Sequence, residues 1–294
     1  MAGPFYVLAA AFMWGMIGVF TKYILDEGIS ALEIAFWRAA LAWVFFLVHA
    51  LAAGQARVHR TDMPALFGFG FICVTLFYGA YQLAIRDVGI ALAAVLLYTA
   101  PAWVALLSWV VLKERMTPIK TACVAMTILG VTCISLGPQL VGGASFGLNT
   151  FGLLAGLVAG FTYALYYIIG KKYLYRYPTP TIFVYALPFG ALLLLPFVHF
   201  APKSAQAWAL LAGLALVTSY GAFSVYYAGL KRMEATHASV IATFEPVVAA
   251  LFAYVLFSEK FTLPGYLGSS LIIAAVLMVV LTGKKRPQPA TEEA

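Results

Sequence analysis

Glu245 and Arg38 stand inside long apolar runs, where an ionisable side chain is costly to desolvate and is therefore functional by default. A carboxyl at Glu245 could bind a substrate ammonium, relay a proton, or pair with Arg38. Arg38 lies beside Trp37 and five positions after Glu33, which is the placement of a group that pairs or snorkels toward the near surface. Trp14, Tyr78, Tyr98, Trp103 and Tyr163 fall near the middle of other apolar runs, whereas Trp and Tyr favour run ends. Rings with polar edges at that depth suit a cavity for a flat apolar substrate, with faces for stacking and hydroxyls for orientation. Packing between helices against a backbone carbonyl is the structural alternative. Tyr81 and Gln82 follow Tyr78 by three and four positions, so they share its helix face and extend the same wall. In the second half Phe223, Ser224, Tyr227 and Phe244 are placed to face the same space, although Tyr226 and Tyr227 are near enough to a run end to be interfacial.

Pro101 and Pro246 sit mid-run, and each removes an N–H and frees a carbonyl four residues back, at Leu97 and Ala242. A freed carbonyl at membrane depth needs a partner, for which Thr99, Thr243, a polar cavity or a substrate ammonium would serve. The same prolines can act as kinks or hinges. His49, His237, Glu114 and Glu259 lie at run ends, where charge costs little and capping or solvation accounts for them. Gly152, Gly156 and Gly160 form a small-residue stripe that permits close helix contact, within one chain or between two, and Gly15 and Gly18 read the same way. Cys73, Cys123 and Cys133 have neither disulfide nor metal-ligand spacing. No GxxxxGK[ST], HExxH or GxSxG occurs, so the expectation is a protein that is not an enzyme and carries no cofactor or metal. A concentration gradient or the membrane potential is left as the energy source.

Lipid is the solvent that these residues imply, since 64% of the chain is hydrophobic and 10% charged. The formal charge of +7 belongs to short connections rather than to a nucleic-acid surface. A span needs roughly 17 to 25 apolar residues, and breaks at charges and turn residues divide the chain into ten. They run approximately over 4–25, 31–53, 63–85, 89–112, 118–136, 150–173, 180–200, 206–230, 236–257 and 263–282. The first run carries no recognisable signal-peptide cleavage site and is expected to remain as a span. Most Lys and Arg fall on the side that holds both termini, against Lys22, Arg86, Lys203 and Lys260 on the other, which predicts cytoplasmic termini.

The run from Pro101 to Glu114, followed by Thr117, has a second version from Pro246 to Glu259, followed by Thr262. An offset of 145 residues superposes them, so the chain reads as a duplication. Five spans per copy is an odd number, so the copies should be inverted in the membrane, as in many secondary transporters. The expected units are 1–137, a linker at 138–149, 150–283, and a cytoplasmic tail at 284–294.

With Ala10-Ala11-Phe12-Met13-Trp14-Gly15 in the first span, these two segments resemble the drug/metabolite transporter superfamily in its ten-helix, two-repeat EamA form. The mid-span aromatics make the chain look like the YddG-type exporters of aromatic amino acids. That resemblance implies two five-helix repeats about a pseudo-two-fold axis, with a central cavity walled mainly by helices 1, 3, 4, 6, 8 and 9. The expectation is an all-α membrane protein of the bacterial inner membrane, with ten transmembrane helices in two inverted repeats. It would export aromatic or other apolar amino acids or related small metabolites by alternating access, as a monomer or weak homodimer with no nucleic-acid partner. Trp14, Tyr78, Tyr81, Gln82, Tyr98, Trp103, Tyr163, Phe244 and Glu245 would bind substrate, with Pro101 and Pro246 as hinges. The alternatives are an exporter of lipophilic cations, using Glu245 as counter-ion; a nucleotide-sugar or sugar-phosphate carrier, which would want more basic residues at depth; and a membrane-embedded enzyme.

Overall fold

The computed structural model describes residues 2–141, 149–258 and 262–282. Ten of its helices are long and apolar enough to cross a membrane, and no strand occurs among the described residues. They are α1 (Gly3–Asp26), α2 (Ala31–Ala52), α3 (Arg60–Val88), α4 (Ile90–Val111) and α5 (Pro118–Gly137), then α6 (Thr150–Leu174), α7 (Thr179–Phe197), α8 (Ala205–Leu230), α9 (Ala235–Phe257) and α10 (Leu263–Thr282). The expected spans correspond to these one for one. Only α3 is appreciably longer than expected, because a 3₁₀ turn at Arg60–Asp62 starts it early and it runs on to Val88. Most of the expected linker, the tail, Glu259 and Lys260 lie outside the described residues.

Local chemistry sets the helix ends. Ser30, Asn149 and Ser204 begin α2, α6 and α8, their side-chain oxygens accepting from backbone N–H groups of the first turn. Gly89, at φ 83°, makes the single-residue reversal between α3 and α4, a conformation that a Cβ would disfavour.

Lipid gives apolar helices little reason to associate, so close packing at small residues has to hold the bundle. Gly152, Gly156 and Gly160 are covered by Asp87 and Val88, by Leu96, and by the α4 backbone at Leu96 and Leu97. That stripe is therefore an internal seam of α6 against α3 and α4. Gly15 meets Val248 of α9, but Gly18 has nothing within 4 Å of a Cβ position, so the expectation of a shared packing role holds for Gly15 alone.

Across the bundle α5 lies along α10, α2 along α7, and α4 crosses α9. α3 packs on α6 as α1 does on α8, α3 on α7 as α2 does on α8, and α4 on α6 as α1 does on α9. Each contact thus has a counterpart when the first five helices are exchanged for the last five. Helix irregularities recur too: π-helical segments occupy Phe71–Leu76 of α3 and Ala215–Gly221 of α8. α4 is interrupted at Tyr98 and Thr99, and α9 at Thr243 and Phe244. Lys113 and Ser258, just beyond α4 and α9, both take left-handed backbone, at φ 55° and 57°.

Candidate functional site

The two interrupted helices carry the most polar chemistry at depth, and the interruptions follow from Pro101 and Pro246. Each proline stands in the first turn of a second half-helix, Ala100–Val111 in α4 and Glu245–Phe257 in α9, where its missing N–H costs nothing within that half. Thr99 Oγ1 donates to Leu96 O at 2.7 Å and Thr243 Oγ1 to Val240 O at 2.5 Å. The threonines therefore do serve the breaks, but at Leu96 and Val240 rather than at the carbonyls of Leu97 and Ala242.

Glu245 is the first residue of the second half of α9, so it sits at the positive end of a helix dipole near mid-span. Tyr98, at the break of α4, is the nearest phenol acting on its carboxylate. Tyr81 of α3 and Tyr163 and Tyr167 of α6 also lie within electrostatic range of the carboxylate, and Tyr163 and Tyr167 stand edge-on to each other at 5.6 Å. Glu245 keeps some accessible surface although it is deep in the bundle, so it borders a space between helices rather than packed atoms. Phe77 stacks on Tyr81 at 6.2 Å and on Tyr163 at 5.5 Å, which joins the ring faces into one wall.

Arg38 approaches from the other side. Its Nε donates to Ser219 Oγ at 2.8 Å and its NH2 to Thr218 O at 3.4 Å, both in the π-helical segment of α8. The expectation that Arg38 reaches toward a surface is corrected: it points inward and is electrostatically coupled to Glu245. The reason is that Glu33 is already taken. Its carboxylate holds Lys203 Nζ at 2.5 Å, Trp37 Nε1 at 3.2 Å and Ala201 N at 3.1 Å, with Lys203 packed over the rings of Trp37, Phe200 and Trp208. A space of only about 10 Å³ remains among Arg38, Val74, Tyr78, Tyr166, Ser219 and Phe223, about what one water needs and far too small for an amino acid.

Of the residues expected to bind substrate, Tyr81, Tyr98, Tyr163 and Glu245 come together directly. Tyr78 borders the Arg38 space, and Gln82 is half-buried next to Tyr81 on α3. Trp14 is buried and reaches the group through Tyr226, whose ring centroid is 5.2 Å from it and 5.4 Å from that of Tyr167. Phe244 is half-buried at the break of α9. Trp103 stands apart from the tyrosine ring, edge-on to Phe161 at 5.4 Å on the α4–α6 seam, with Phe161 itself 36% exposed. Tyr226 and Tyr227 are core residues, not an interfacial belt: both are buried, and Tyr227 donates to Tyr166 O at 3.1 Å. Phe223 stacks on Tyr166 at 5.4 Å.

Tyr167 and Ser219 escaped the sequence reading. Tyr167 has the i, i+4 spacing to Tyr163 that would have marked it, whereas Ser219 depends on the local phase of the π segment.

Of the two roles expected for Glu114, capping or interfacial solvation, the first holds. It is buried at the end of the bundle where α1 starts, accepting from Ala235 N at 2.7 Å, Thr236 N at 3.3 Å and Thr236 Oγ1 at 2.9 Å. Lys171 Nζ lies 3.2 Å from it and donates to Met233 O at 2.7 Å. Glu114 therefore caps α9 instead of resting cheaply at an interface. Glu234 completes the cluster with Lys120 at 2.7 Å and His237 at 3.3 Å. His49, expected to be interfacial, is 3.0 Å from the Tyr220 hydroxyl across α2 and α8. A recess of about 700 Å³ at the same end, lined by Gln55, Arg57, His59, Arg176, Tyr177 and Thr181, contains none of the candidate residues. Among the described residues no group of three or more His, Cys, Asp or Glu could hold a metal.

A bundle of ten membrane-length helices, with acid, base and phenol groups gathered where two broken helices cross, has the form of a multi-pass membrane transport protein. The chain belongs to the EamA-like transporter family, whose model matches residues 1–136 and 150–281. An uncharacterized transporter of Archaeoglobus fulgidus is 30% identical over 277 residues, covering 94% of this chain and 95% of that one. YicL of Salmonella typhimurium, described as an uncharacterized inner membrane transporter, is 26% identical and covers 98% of both chains. A solved crystal structure shares the fold with a TM-score of 0.83 at 19% identity, over 97% of this chain and 98% of that one.

Proposed function

We propose that this transporter exports aromatic or other apolar amino acids by alternating access across a bacterial inner membrane. The observation that carries the proposal is the Glu245 carboxylate enclosed by Tyr81, Tyr98, Tyr163 and Tyr167 at the crossing of α4 and α9. A carboxylate recognises an ammonium, and the adjoining ring faces of Phe77, Tyr163 and Tyr166 accept a flat side chain. The space beside Arg38 is too narrow for an amino acid, so on this reading loading requires the helices to part.

Alternating access rests on the inverted-repeat reading. Its support is the helix contacts that pair across the halves and the π segments, breaks and left-handed residues that recur at the sequence offset. The units 1–137 and 150–283 and the cytoplasmic termini follow from the same reading and from the distribution of Lys and Arg. Inner-membrane placement is the description carried by YicL.

Counterflow of radiolabelled phenylalanine and tryptophan in proteoliposomes tests the proposal, with Glu245→Gln beside wild type and a pH gradient imposed. Saturable counterflow that Glu245→Gln abolishes is the expected result. Vesicles that exchange a lipophilic cation but neither amino acid would overturn it in favour of cation export.

A further inference from the structure

Arg38 raises a question that Glu245 alone does not answer: why a guanidinium is held at depth without an ion-pair partner. Among the described residues no carboxylate oxygen lies within 4.0 Å of it, the limit for such a pair. Among the described residues two protein acceptors are engaged, Ser219 Oγ and Thr218 O, against the five N–H donors that a guanidinium presents. Both acceptors are neutral, so the positive charge itself is met by no anion in contact.

A buried charge in that condition is expensive, and the cost falls when an oxyanion completes it. Glu245 is near enough to be felt electrostatically but remains out of contact. Aromatic rings border both charges. Tyr78, Tyr166 and Phe223 border the Arg38 side. Phe77, stacked on Tyr163 and edge-on to Tyr166 at 6.3 Å, continues the wall to the Glu245 side. A cation and an anion that are near but out of contact, both bordered by aromatic rings, match a molecule that carries both charges on one carbon and an apolar side chain.

We propose that Arg38 is the carboxylate-recognition residue of the substrate site, and that the site selects zwitterionic α-amino acids over amines and over acids. This rests on the amino-acid reading and deepens it. The substrate carboxylate would take the free guanidinium N–H donors, with Ser219 Oγ fixing the orientation of the guanidinium. The ammonium would go to Glu245 and the Tyr98 hydroxyl, and the side chain would lie on the rings between.

The same proposal separates the two charges by role. An amine that lacks the carboxylate would bring its cation to Glu245 but leave Arg38 uncompensated and oppose it by like charge. An acid that lacks the ammonium would leave Glu245 in the corresponding position. Discrimination against both is the signature of two subsites, whereas a lone carboxylate in an aromatic box would favour amines.

The test is competition against phenylalanine counterflow in proteoliposomes by phenethylamine, which lacks the carboxylate, and by 3-phenylpropionate, which lacks the ammonium. In wild type neither should compete comparably with unlabelled phenylalanine. Arg38→Met should raise the phenylalanine KM by about tenfold or more, the scale of a lost charge-assisted contact, and should let phenethylamine compete as well as phenylalanine does. Arg38→Lys should restore part of the discrimination, because a point charge replaces the fork. Should Arg38→Met fail to fold, Ser219→Ala, which releases the guanidinium, should raise KM with little change in kcat.

Wild-type counterflow of phenylalanine that phenethylamine inhibits equally well would overturn the carboxylate subsite and leave amino-acid transport standing. So would an Arg38→Met protein with unchanged KM and an unchanged competitor pattern. Absence of phenylalanine counterflow from correctly folded wild type would overturn both readings together.

Discussion

Tyr98 and Trp103 occupy the same helix, five residues apart, and the structure gives them different surroundings. Tyr98 stands beside Glu245, while Trp103 lies edge-on to a partly exposed Phe161. Tyr98→Phe removes the hydroxyl beside Glu245 that a substrate ammonium would share, and should raise the phenylalanine KM by about tenfold, whereas Trp103→Ala should leave it unchanged. Transport kinetics in proteoliposomes check both, and a Trp103→Ala protein with the larger defect would contradict the placement. Sequence position alone could not separate the two residues, because each lies near mid-span. What distinguishes them is facing, and in a helix that is apolar on nearly every side the sequence leaves no polar stripe from which facing can be read. Glu245 was legible for the opposite reason: a carboxyl in an apolar run has no inexpensive place to go. Arg38 was legible as a charge at depth but not in its direction, since Glu33 stood nearby and only the structure shows that Lys203 occupies it.

The helices divide into features that sequence announces and features that it hides. Proline announces the breaks of α4 and α9, because no other residue removes the N–H. The π segments of α3 and α8 give no such sign, since one extra residue in a continuous apolar run leaves its composition unchanged. Yet the π segment of α8 is what presents Ser219 and Thr218 to Arg38, so this part of the candidate site lay beyond sequence reading.

Helix ends hid a second element. Glu114 reads as the close of α4, but its hydrogen bonds tie it to the start of α9 and to Lys171 at the end of α6. Burial alone would push its carboxyl up; Lys171, the N–H groups of Ala235 and Thr236 and the Thr236 hydroxyl outweigh burial and hold it below the usual glutamate range. A group whose folded value is lowered contributes stability that is complete above its unfolded value and disappears as pH falls through the folded one. Glu114→Gln should therefore cost about 1–3 kcal/mol at neutral pH, and the gap in melting temperature from wild type should close in acid. Lys120, Glu234 and His237 stand beside it in the same charged cluster, so the comparison is between Glu114→Gln and wild type at each pH, not across pH in one protein. Equal melting temperatures at neutral pH would remove Glu114 from this role.

At the scale of the molecule, ten spans and the apolar composition were legible, because lipid demands long uninterrupted helices. Packing was less so: the glycine stripe on α6 was compatible with a dimer contact until Leu96, Leu97 and Val88 were found to cover it. An even number of spans puts both termini on one side, and the bias of Lys and Arg predicts that this side is the cytoplasm. Reporters active only in the cytoplasm should therefore work at either end, and activity at one end alone would break the ten-span topology.

The most direct measurement of the central claim is equilibrium binding of radiolabelled phenylalanine to the purified protein, comparing wild type with Tyr163→Ala and Glu245→Gln. Saturable binding to wild type that weakens in Tyr163→Ala and is lost in Glu245→Gln is the predicted result. Binding that survives both substitutions would place the amino acid elsewhere in the molecule and contradict a site built at the crossing of α4 and α9.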